Sequence, residues 1–156
     1  MPSPLTALAP DTAAPDIDAD ATQPASFDST SPAARTTRVL LIDPDRNARL
    51  YLRAKLASAQ FFEVDEAATG AEALGLVKQC SYRLAVLDLE QADTGSWKLL
   101  RQLRESGKVS QILMTGTRFS PLDRVRAWFA DVSATLVKPL HPAKFMRELE
   151  KIRRRK

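Results

Sequence analysis

Continuous apolar runs are the clearest pattern along the chain, and polar residues follow each of them. Four of the runs lack the alternation that marks a strand with one side facing solvent. Uninterrupted runs of this kind are typical of strands that are covered on both faces, as in a parallel sheet. The four runs are Val39–Ile42, Leu84–Leu87, Ile112–Met114 and Thr135–Val137. A fifth segment, Phe62–Asp65, alternates between apolar and acidic residues and is predicted to be a strand at the edge of the sheet.

Stretches with helical periodicity separate these runs. Pro121 and Pro142 stand near the starts of the last two, where a missing backbone N–H costs nothing. Five strands that alternate with five helices through short connections predict an α/β fold, a doubly wound five-stranded parallel sheet with helices on both faces. The apolar positions of the five helical stretches are Leu50, Leu52, Ala54 and Leu56; Ala73, Leu74 and Val77; Leu99, Leu100 and Leu103; Leu122, Val125, Trp128 and Phe129; and Phe145, Met146, Leu149 and Ile152.

Charge is unevenly distributed along the chain. Residues 1–34 contain no Lys or Arg, five Asp and six of the ten Pro, whereas residues 35–156 carry a net charge of +9. A segment with so few large apolar side chains cannot bury enough surface to offset its ordering entropy. We therefore predict a disordered acidic tail at 1–36, a folded domain at 37–153 and a basic C-terminal end at 154–156. The tail is either a solvated leader or a segment that transiently covers the basic domain.

Composition narrows the range of functions. The single cysteine, Cys80, cannot form an internal disulfide, which favours a reducing compartment. The apolar runs are far shorter than the ~20 residues of a membrane-spanning helix, and no basic residue precedes the apolar N-terminal stretch, unlike in a signal peptide. The five glycines are scattered, so no phosphate-binding glycine loop is present. We expect a cytoplasmic protein that is neither inserted in a membrane nor an enzyme.

The candidate chemistry lies directly after the apolar runs. Asp43 and Asp45 follow the run 39–42, Asp88 follows 84–87, Thr115 follows 112–114 and Lys138 follows 135–137. Taken singly, each has a structural explanation; a carboxylate after a strand, for example, often caps the next helix. In an open parallel sheet, however, ligands bind beyond the carboxyl ends of the strands. The fold itself therefore brings these groups to one edge.

Together these groups are suited to phosphoryl transfer onto a carboxylate. Asp88 is the predicted nucleophile, and a Mg²⁺ ion held by Asp88 and a second acid would neutralise the phosphoryl oxygens. Lys138 would contact another phosphoryl oxygen as a point charge, and the Thr115 hydroxyl would donate to a third. The product, an acyl phosphate, adds a charge of about −2 and strong hydrogen-bond acceptors, enough to reorient a neighbouring hydroxyl and its loop.

The folded part, residues 37–153, resembles the receiver domain of two-component response regulators. The matching stretches are VLLID (39–43), ATGAEAL (68–74), YRLAVLDL (82–89), MTG (114–116), DRVRA (123–127) and LVKP (136–139). The resemblance implies the flavodoxin-like strand order 2-1-3-4-5, with Asp88 as the phospho-acceptor and Thr115 and Lys138 as phosphate-sensing residues. It also implies a phosphorelay in which a sensor histidine kinase or phosphotransfer protein is the donor and a downstream protein is the target. Because no effector domain follows Lys156, the chain resembles a regulator of the single-domain type.

The acidic pocket departs from the family pattern. Receivers carry two adjacent acids after the first strand, and the second place is Pro44 here. The implied metal ligands are therefore Asp43 and Asp88, with Asp45 or Glu90 as the candidate replacement for the missing acid. This shortage predicts a weakened Mg²⁺ site.

A second departure keeps another function open. The aromatic residue that many receivers carry three positions before the lysine is replaced by Thr135, so the usual packing that reports phosphorylation is absent or rewired. The alternative hypothesis is a degenerate receiver that acts as a binding module without phosphorylation.

A basic face is the candidate site for an anionic ligand of such a module. It comprises Arg147, Arg153, Arg154 and Arg155 near the C-terminus. An acidic partner protein, a cyclic dinucleotide or nucleic acid would complement this charge. The chain has no helix-turn-helix or zinc motif, which argues against specific DNA binding.

Overall fold

Five parallel strands form a single sheet in the computed structural model, which describes residues 37–90 and 95–155. The strand order is β2-β1-β3-β4-β5, so the predicted fold class and order are confirmed and β2 lies at an edge. The strands are β1 (Val39–Ile42), β2 (Val64–Ala67), β3 (Tyr82–Asp88), β4 (Val109–Gly116) and β5 (Ala134–Val137).

Five helices in the described residues connect or follow the strands, and local sequence sets their ends. The Thr69 hydroxyl accepts a hydrogen bond from the backbone N–H of Glu72 at the start of the second helix. Ser120 and Asp123 form a capping box at the start of the fourth. Gly107, with φ +67°, follows the third helix in a conformation that favours glycine. The helices are α1 (Arg46–Ser58), α2 (Gly70–Gln79), α3 (Ser96–Glu105), α4 (Pro121–Phe129) and α5 (Pro142–Arg154).

Helices cover both faces of the sheet, and each face has its own apolar core. One core joins the sheet to α2 and α3 through the buried side chains of Val77, Leu99 and Leu103. The other joins it to α1 and α5, with Leu56 and Phe145 fully buried. The central strands β1 and β3 are therefore buried on both sides, as their continuous apolar runs predict.

One detail of the sequence-based prediction was wrong. The edge strand begins at Val64, two residues later than Phe62, because Val64 is the residue that pairs with Val39 of β1. Phe61 and Phe62 both precede the strand. The Phe61 side chain is buried in the core, whereas that of Phe62 is 74% exposed. An alternating pattern therefore located β2 to within about two residues but not its register.

The fourth helix, α4, is present as predicted, but its apolar residues face solvent. Leu122, Val125, Trp128 and Phe129 are 50–76% exposed, and Ala127 is the residue of this helix that is buried. Helical periodicity correctly indicated the helix but does not say whether another element covers the apolar stripe.

Some expectations lie outside the described residues. The acidic segment 1–36 is outside them, as is Lys156 at the C-terminal end, and α5 runs to Arg154. Within residues 37–90 and 95–155, no helix is long and apolar enough to cross a membrane.

A buried hydrogen bond at the start of β3 generates the first prediction. The Tyr82 side chain is fully buried, and its hydroxyl donates to Asp65 Oδ2 of β2 at 2.7 Å. Burial and this carboxylate raise the pKa of Tyr82. We expect Tyr82→Phe to lower the free energy of unfolding by about 1 kcal/mol, because Asp65 loses a hydrogen-bond donor in a half-buried position. Urea denaturation measures this loss.

The matched control is Tyr51→Phe. Tyr51 lies on the exposed side of α1, where its ring is 5.6 Å from Lys55 Nζ. Removal of this hydroxyl is expected to change stability by less than about 0.5 kcal/mol. Equal effects of the two substitutions would contradict a specific contribution from the hydrogen bond between Tyr82 and Asp65.

Candidate functional site

The sheet brings four of the predicted residues to its carboxyl edge. Asp88 ends β3 and pairs in register with Thr115 of β4. Asp43 directly follows β1, whose last residue pairs with Leu87. Lys138 directly follows β5, and its backbone N–H donates to the Gly116 carbonyl at 2.8 Å. Parallel strands thus deliver groups that are far apart in sequence to one small pocket.

The Lys138 ammonium lies between two buried carboxylates. Its Nζ is 2.7 Å from Asp43 Oδ2 and 3.1 Å from Asp88 Oδ1. The contact with Asp43 is a hydrogen bond, whereas the contact with Asp88 is an ion pair without hydrogen-bond geometry, since Asp88 Oδ1 has no hydrogen-bond partner. Both carboxylate side chains are 2% exposed and that of Lys138 is 20% exposed. One cation therefore offsets two anions in a site that is largely closed to water.

The pKa values of Asp88 and Lys138 are both raised, but for different reasons. Burial is the main reason why the pKa of Asp88 is raised, and the charge of Asp43 adds to it. Lys138 and the Glu90 backbone N–H act in the opposite direction. Burial lowers the pKa of Lys138, but the two carboxylates outweigh it and the pKa is raised. Asp88 is thus a carboxylate whose negative charge is costly in the absence of further cations.

Thr115 provides an unused hydrogen-bonding group beside Asp88. Its side chain is fully buried, and Oγ1 has no hydrogen-bond partner among the described residues. The backbone holds the residue in place, because the Leu89 N–H donates to the Thr115 carbonyl at 2.6 Å. A buried hydroxyl without a partner costs free energy. A new acceptor on Asp88 would relieve that cost.

The structure does not bring the two candidate third acids into the pocket. Asp45 caps α1, where its side chain accepts a hydrogen bond from the Asn47 N–H at 2.9 Å. The Glu90 carboxylate accepts a hydrogen bond from the Thr117 hydroxyl and is exposed. No group of three metal-ligating side chains occurs in the part of the chain that is described.

Asp43 and Asp88 nevertheless suit a magnesium ion. Mg²⁺ is commonly bound by one or two carboxylates and retains several waters. Asp88 Oδ1 is buried and 3.1 Å from Lys138 Nζ, so a Mg²⁺ ion would share this carboxylate with the ammonium group. The Asp45 backbone N–H donates to Asp43 Oδ1 at 2.9 Å, which orients the first carboxylate. The donor set therefore fits the metal that the acidic pocket predicts.

Two further residues hold the pocket, and neither was singled out from the sequence. The Ser96 hydroxyl donates to the carbonyl oxygens of Asp88, at 3.2 Å, and of Leu89. Arg49 Nη1 donates to the Asp43 carbonyl at 2.6 Å, and its Nε lies 3.4 Å from Glu66 Oε2. The available signals were the serine that directly follows Gly95 and the arginine four residues after the helix cap Asp45. These bonds fix the backbone at each of the two acids and at the residue that follows it.

The predicted anion-binding arginines lie elsewhere. Arg147, Arg153, Arg154 and Arg155 are exposed on α5 or just after it. Arg83, the second residue of β3, donates to the Ile152 carbonyl at 3.1 Å and also to the carbonyl of Arg155. Arg83 and Asp88 are five positions apart along β3, which corresponds to about 17 Å at the usual rise per residue of a strand. The end of α5 is therefore at the opposite edge of the sheet from the pocket, and its role in anion binding stays a prediction.

Thr135 occupies the position at which many receivers have an aromatic residue. Thr135 lies in β5, half-buried. It lines a cavity between α4 and β5 with Phe119 and Trp128. A small hydroxyl-bearing side chain thus stands where many receivers have a ring.

Comparisons with known proteins agree with this geometry. Residues 39–150 match the family model described as "Response regulator receiver domain". The transcriptional regulatory protein ResD of Bacillus subtilis is 29% identical over 119 residues, which cover 76% of this chain and 49% of ResD. The response regulator MprA of Mycobacterium sp. (strain KMS) is 31% identical over 118 residues, which cover 76% of this chain and 51% of MprA. The chain spans about half the length of these two relatives.

Solved structures show the same architecture. Chemotaxis protein CheY4 of Vibrio cholerae matches with a TM-score of 0.66 and 25% identity, over 74% of this chain and 97% of CheY4. A two-component response regulator from Clostridium difficile gives a TM-score of 0.70 at 23% identity, over 77% of this chain and 98% of that chain. The second match concerns the fold alone.

The raised pKa of Asp88 generates a stability prediction. Asp88→Asn is expected to raise the free energy of unfolding by about 1 kcal/mol near neutral pH, because it removes a buried charge whose ionisation opposes folding. Below the ordinary carboxyl pKa of 3.8, Asp88 is protonated in both states and the difference disappears. As pH rises through the folded-state pKa, the wild type loses stability relative to the variant. Urea unfolding of wild type and Asp88→Asn, near neutral pH and below pH 3.8, measures the difference in stability between the two proteins.

Asp45→Asn is the matched control, because it makes the same chemical change at an exposed position. Asparagine caps helices as well as aspartate does, so we expect a change of less than about 0.5 kcal/mol at either pH. A lower stability of Asp88→Asn than of wild type near neutral pH would contradict the conclusion that the negative charge of Asp88 opposes folding.

Proposed function

We propose that this chain, which belongs to the response regulator receiver domain family, accepts a phosphoryl group on Asp88. Receiver domains are signalling modules that interact with histidine kinases or phosphotransfer proteins and with downstream targets. The proposal rests chiefly on one observation: Lys138 Nζ lies within 3.1 Å of both buried carboxylates. The unpartnered Thr115 hydroxyl on the neighbouring strand supports it.

The reaction is a transfer from a phosphohistidine of the donor protein. An Asp88 carboxylate oxygen attacks phosphorus, the P–O bond forms and the P–N bond to the imidazole breaks. The imidazole nitrogen keeps the electron pair of that bond and takes up a proton. Asp88 is suited to this step because its charge is poorly stabilised where it stands. A carboxylate whose negative charge is poorly stabilised by its surroundings is a stronger nucleophile than a solvated carboxylate.

Receiver domains generally bind Mg²⁺ at an acidic pocket, and here we assign the ligands as Asp43 and Asp88. When bound, the metal supplies positive charge that offsets the phosphoryl oxygens. Lys138 supplies a second positive charge, and its contact with Asp43 gives it an alternative partner while Asp88 is being modified. The Thr115 hydroxyl donates to a phosphoryl oxygen once that acceptor is within reach.

The output we propose is a contact with a downstream protein. The phosphorylated Asp88 side chain would carry a charge of about −2 beside Lys138 and Thr115, which lie after β5 and in β4. Those strands and α4 carry an apolar surface that is exposed to solvent, made up of Leu122, Val125, Trp128, Phe129 and Val137. Exposed apolar patches of this kind mark interaction sites. Because Thr135 stands where many receivers have an aromatic residue, the change at Asp88 would have to reach α4 through β5 without the rotation of an aromatic side chain.

A second candidate function is a binding module that does not require phosphorylation. The observation in its favour is that Asp45 and Glu90 are both bound outside the pocket, so the acid replaced by Pro44 has no substitute among the described residues. Under this proposal the basic C-terminal face of Arg147, Arg153, Arg154 and Arg155 would bind an anionic ligand such as a cyclic dinucleotide. The two proposals differ in whether Asp88 reacts.

The phosphorylation proposal predicts a mass increase of one phosphoryl group when the protein is incubated with acetyl phosphate and Mg²⁺. Intact-mass spectrometry should show the increase in wild type and its loss in Asp88→Asn. Beryllofluoride with Mg²⁺ should shift the NMR signals of Thr115 and Lys138 in wild type. No mass increase and no shift, at Mg²⁺ concentrations that saturate ordinary receivers, would leave the binding module as the remaining proposal.

The metal assignment predicts unequal effects of two neighbouring substitutions. Asp43→Asn should weaken Mg²⁺ binding about tenfold or more, because it removes one of two carboxylate ligands. Asp45→Asn should change the dissociation constant less than about twofold, because Asp45 is held at the start of α1. Isothermal titration with Mg²⁺ measures both. Equal losses in the two variants would show that Asp45 is a ligand and that the assignment is incorrect.

A further inference from the structure

A groove between α3 and α4 is separate from the phosphorylation pocket. Its volume is about 590 Å³, within the range that small-molecule sites occupy. Trp97 and Arg101 of α3 line one side, and Arg126 and Phe129 of α4 line the other. Of the exposed apolar residues of α4, Phe129 is the one that lines the groove.

The groove is positively charged. Arg101, Arg104 and Arg126 line it, and Asp131 is the single acid among its described lining residues. Arg101 approaches Glu105 only at 3.9 Å, with both side chains largely exposed. Arg126 forms no ion pair at contact distance with a carboxylate of residues 37–90 or 95–155. Both guanidinium groups are exposed, and their neighbouring acids are Glu105 for Arg101 and Asp123 for Arg126.

A third arginine is anchored beneath them. Arg104 Nη1 lies 3.4 Å from the Ser110 carbonyl, and Nη2 donates to the Asp131 carbonyl. Its Nε is buried and has no hydrogen-bond partner within the described residues. Two backbone carbonyls thus hold the Arg104 guanidinium, which adds positive charge to the lining of the groove.

Two aromatic side chains, Trp97 and Phe129, also line the groove. The Trp97 ring is half-buried, with the Arg126 guanidinium carbon 5.9 Å from its centroid. Phe129 is 76% exposed, and its ring packs edge-to-face against Trp128 with centroids 4.9 Å apart. Rings that are held by their neighbours and open to solvent are stacking surfaces for planar ligands.

We propose that this groove binds a nucleotide. The base would stack on Trp97 or Phe129, and Arg101 and Arg126 would contact the phosphates. A planar base and a polyanion together match what the groove offers: two aromatic rings, an excess of guanidinium groups and a volume suited to a ligand of this size. The inference goes beyond phosphorylation of Asp88 and does not depend on it.

A nucleotide in this groove would lie close to the acceptor segment. Trp97 directly follows Ser96, whose hydroxyl is bonded to the Asp88 carbonyl. A ligand that immobilises Trp97 therefore immobilises the first turn of α3, which holds the backbone of the phospho-acceptor. The groove is thus placed to influence Asp88 without using any of its side chains.

Tryptophan fluorescence tests the proposal. The chain has two tryptophans, and Trp128 is 76% exposed, so Trp128→Phe leaves Trp97 as the sole tryptophan without disturbing the core. ATP, GTP and cyclic diguanylate are the probes, with tripolyphosphate as a probe of charge alone. At least one nucleotide should quench Trp97 saturably, with an affinity about tenfold or more above that of tripolyphosphate.

Matched arginine variants on α4 decide where the nucleotide binds. In the Trp128→Phe protein, Arg126→Gln should weaken nucleotide binding about tenfold, and Arg124→Gln, which removes the same charge outside the groove, should change it less than twofold. Addition of Asp88→Asn should leave binding intact, which separates this proposal from the phosphorylation proposal. Three results would each overturn it: no quenching by any nucleotide up to about 1 mM, equal binding of tripolyphosphate, or equal losses in the Arg126 and Arg124 variants.

Discussion

Two carboxylates buried at the same edge of one sheet are the constraint on which the site depends. Asp43 and Asp88 follow neighbouring parallel strands, and both side chains are almost fully removed from water. Two like charges in such a place lose hydration and repel each other, so a cation must lie between them. Lys138 provides it from β5, with a side chain that reaches both acids across β4. Thr115 is the β4 residue at this edge, and its unpartnered hydroxyl lies where a modified Asp88 would need a donor.

Much of this arrangement was predictable from the sequence. The run Val39–Ile42 coincides with β1, and the strand-end residues Asp43, Asp88, Thr115 and Lys138 lie where a parallel sheet must place them. The failures have physical causes. Periodicity indicated α4, but the exposure of Trp128 depends on whether a partner covers the helix, which no local pattern encodes. For β2, the register follows from pairing with β1 rather than from its own alternation.

The direction of short acidic side chains was harder to predict. Asp45 is one residue beyond Pro44, close enough in sequence to serve the pocket, yet its carboxylate caps α1 because the helix begins at the next residue. Glu90 is bound to Thr117 in a similar way. Helix starts and neighbouring hydroxyls compete for carboxylates at short range, and sequence spacing does not decide that competition. Ser96 and Arg49 were missed for a related reason, since their contacts are with backbone carbonyls, which carry no signal in the sequence.

The small buried surface of α4 has a consequence for the free energy needed to move this helix. Ala127 is the residue of this helix that is buried, while α1, α3 and α5 each bury two or more large apolar side chains. Little free energy separates alternative placements of an element anchored so lightly. The gain or loss of one ordinary hydrogen bond, about 1 kcal/mol, changes the ratio of two such placements roughly fivefold. A single hydrogen bond is therefore a large contribution beside the one buried side chain, that of Ala127, with which α4 contacts the core.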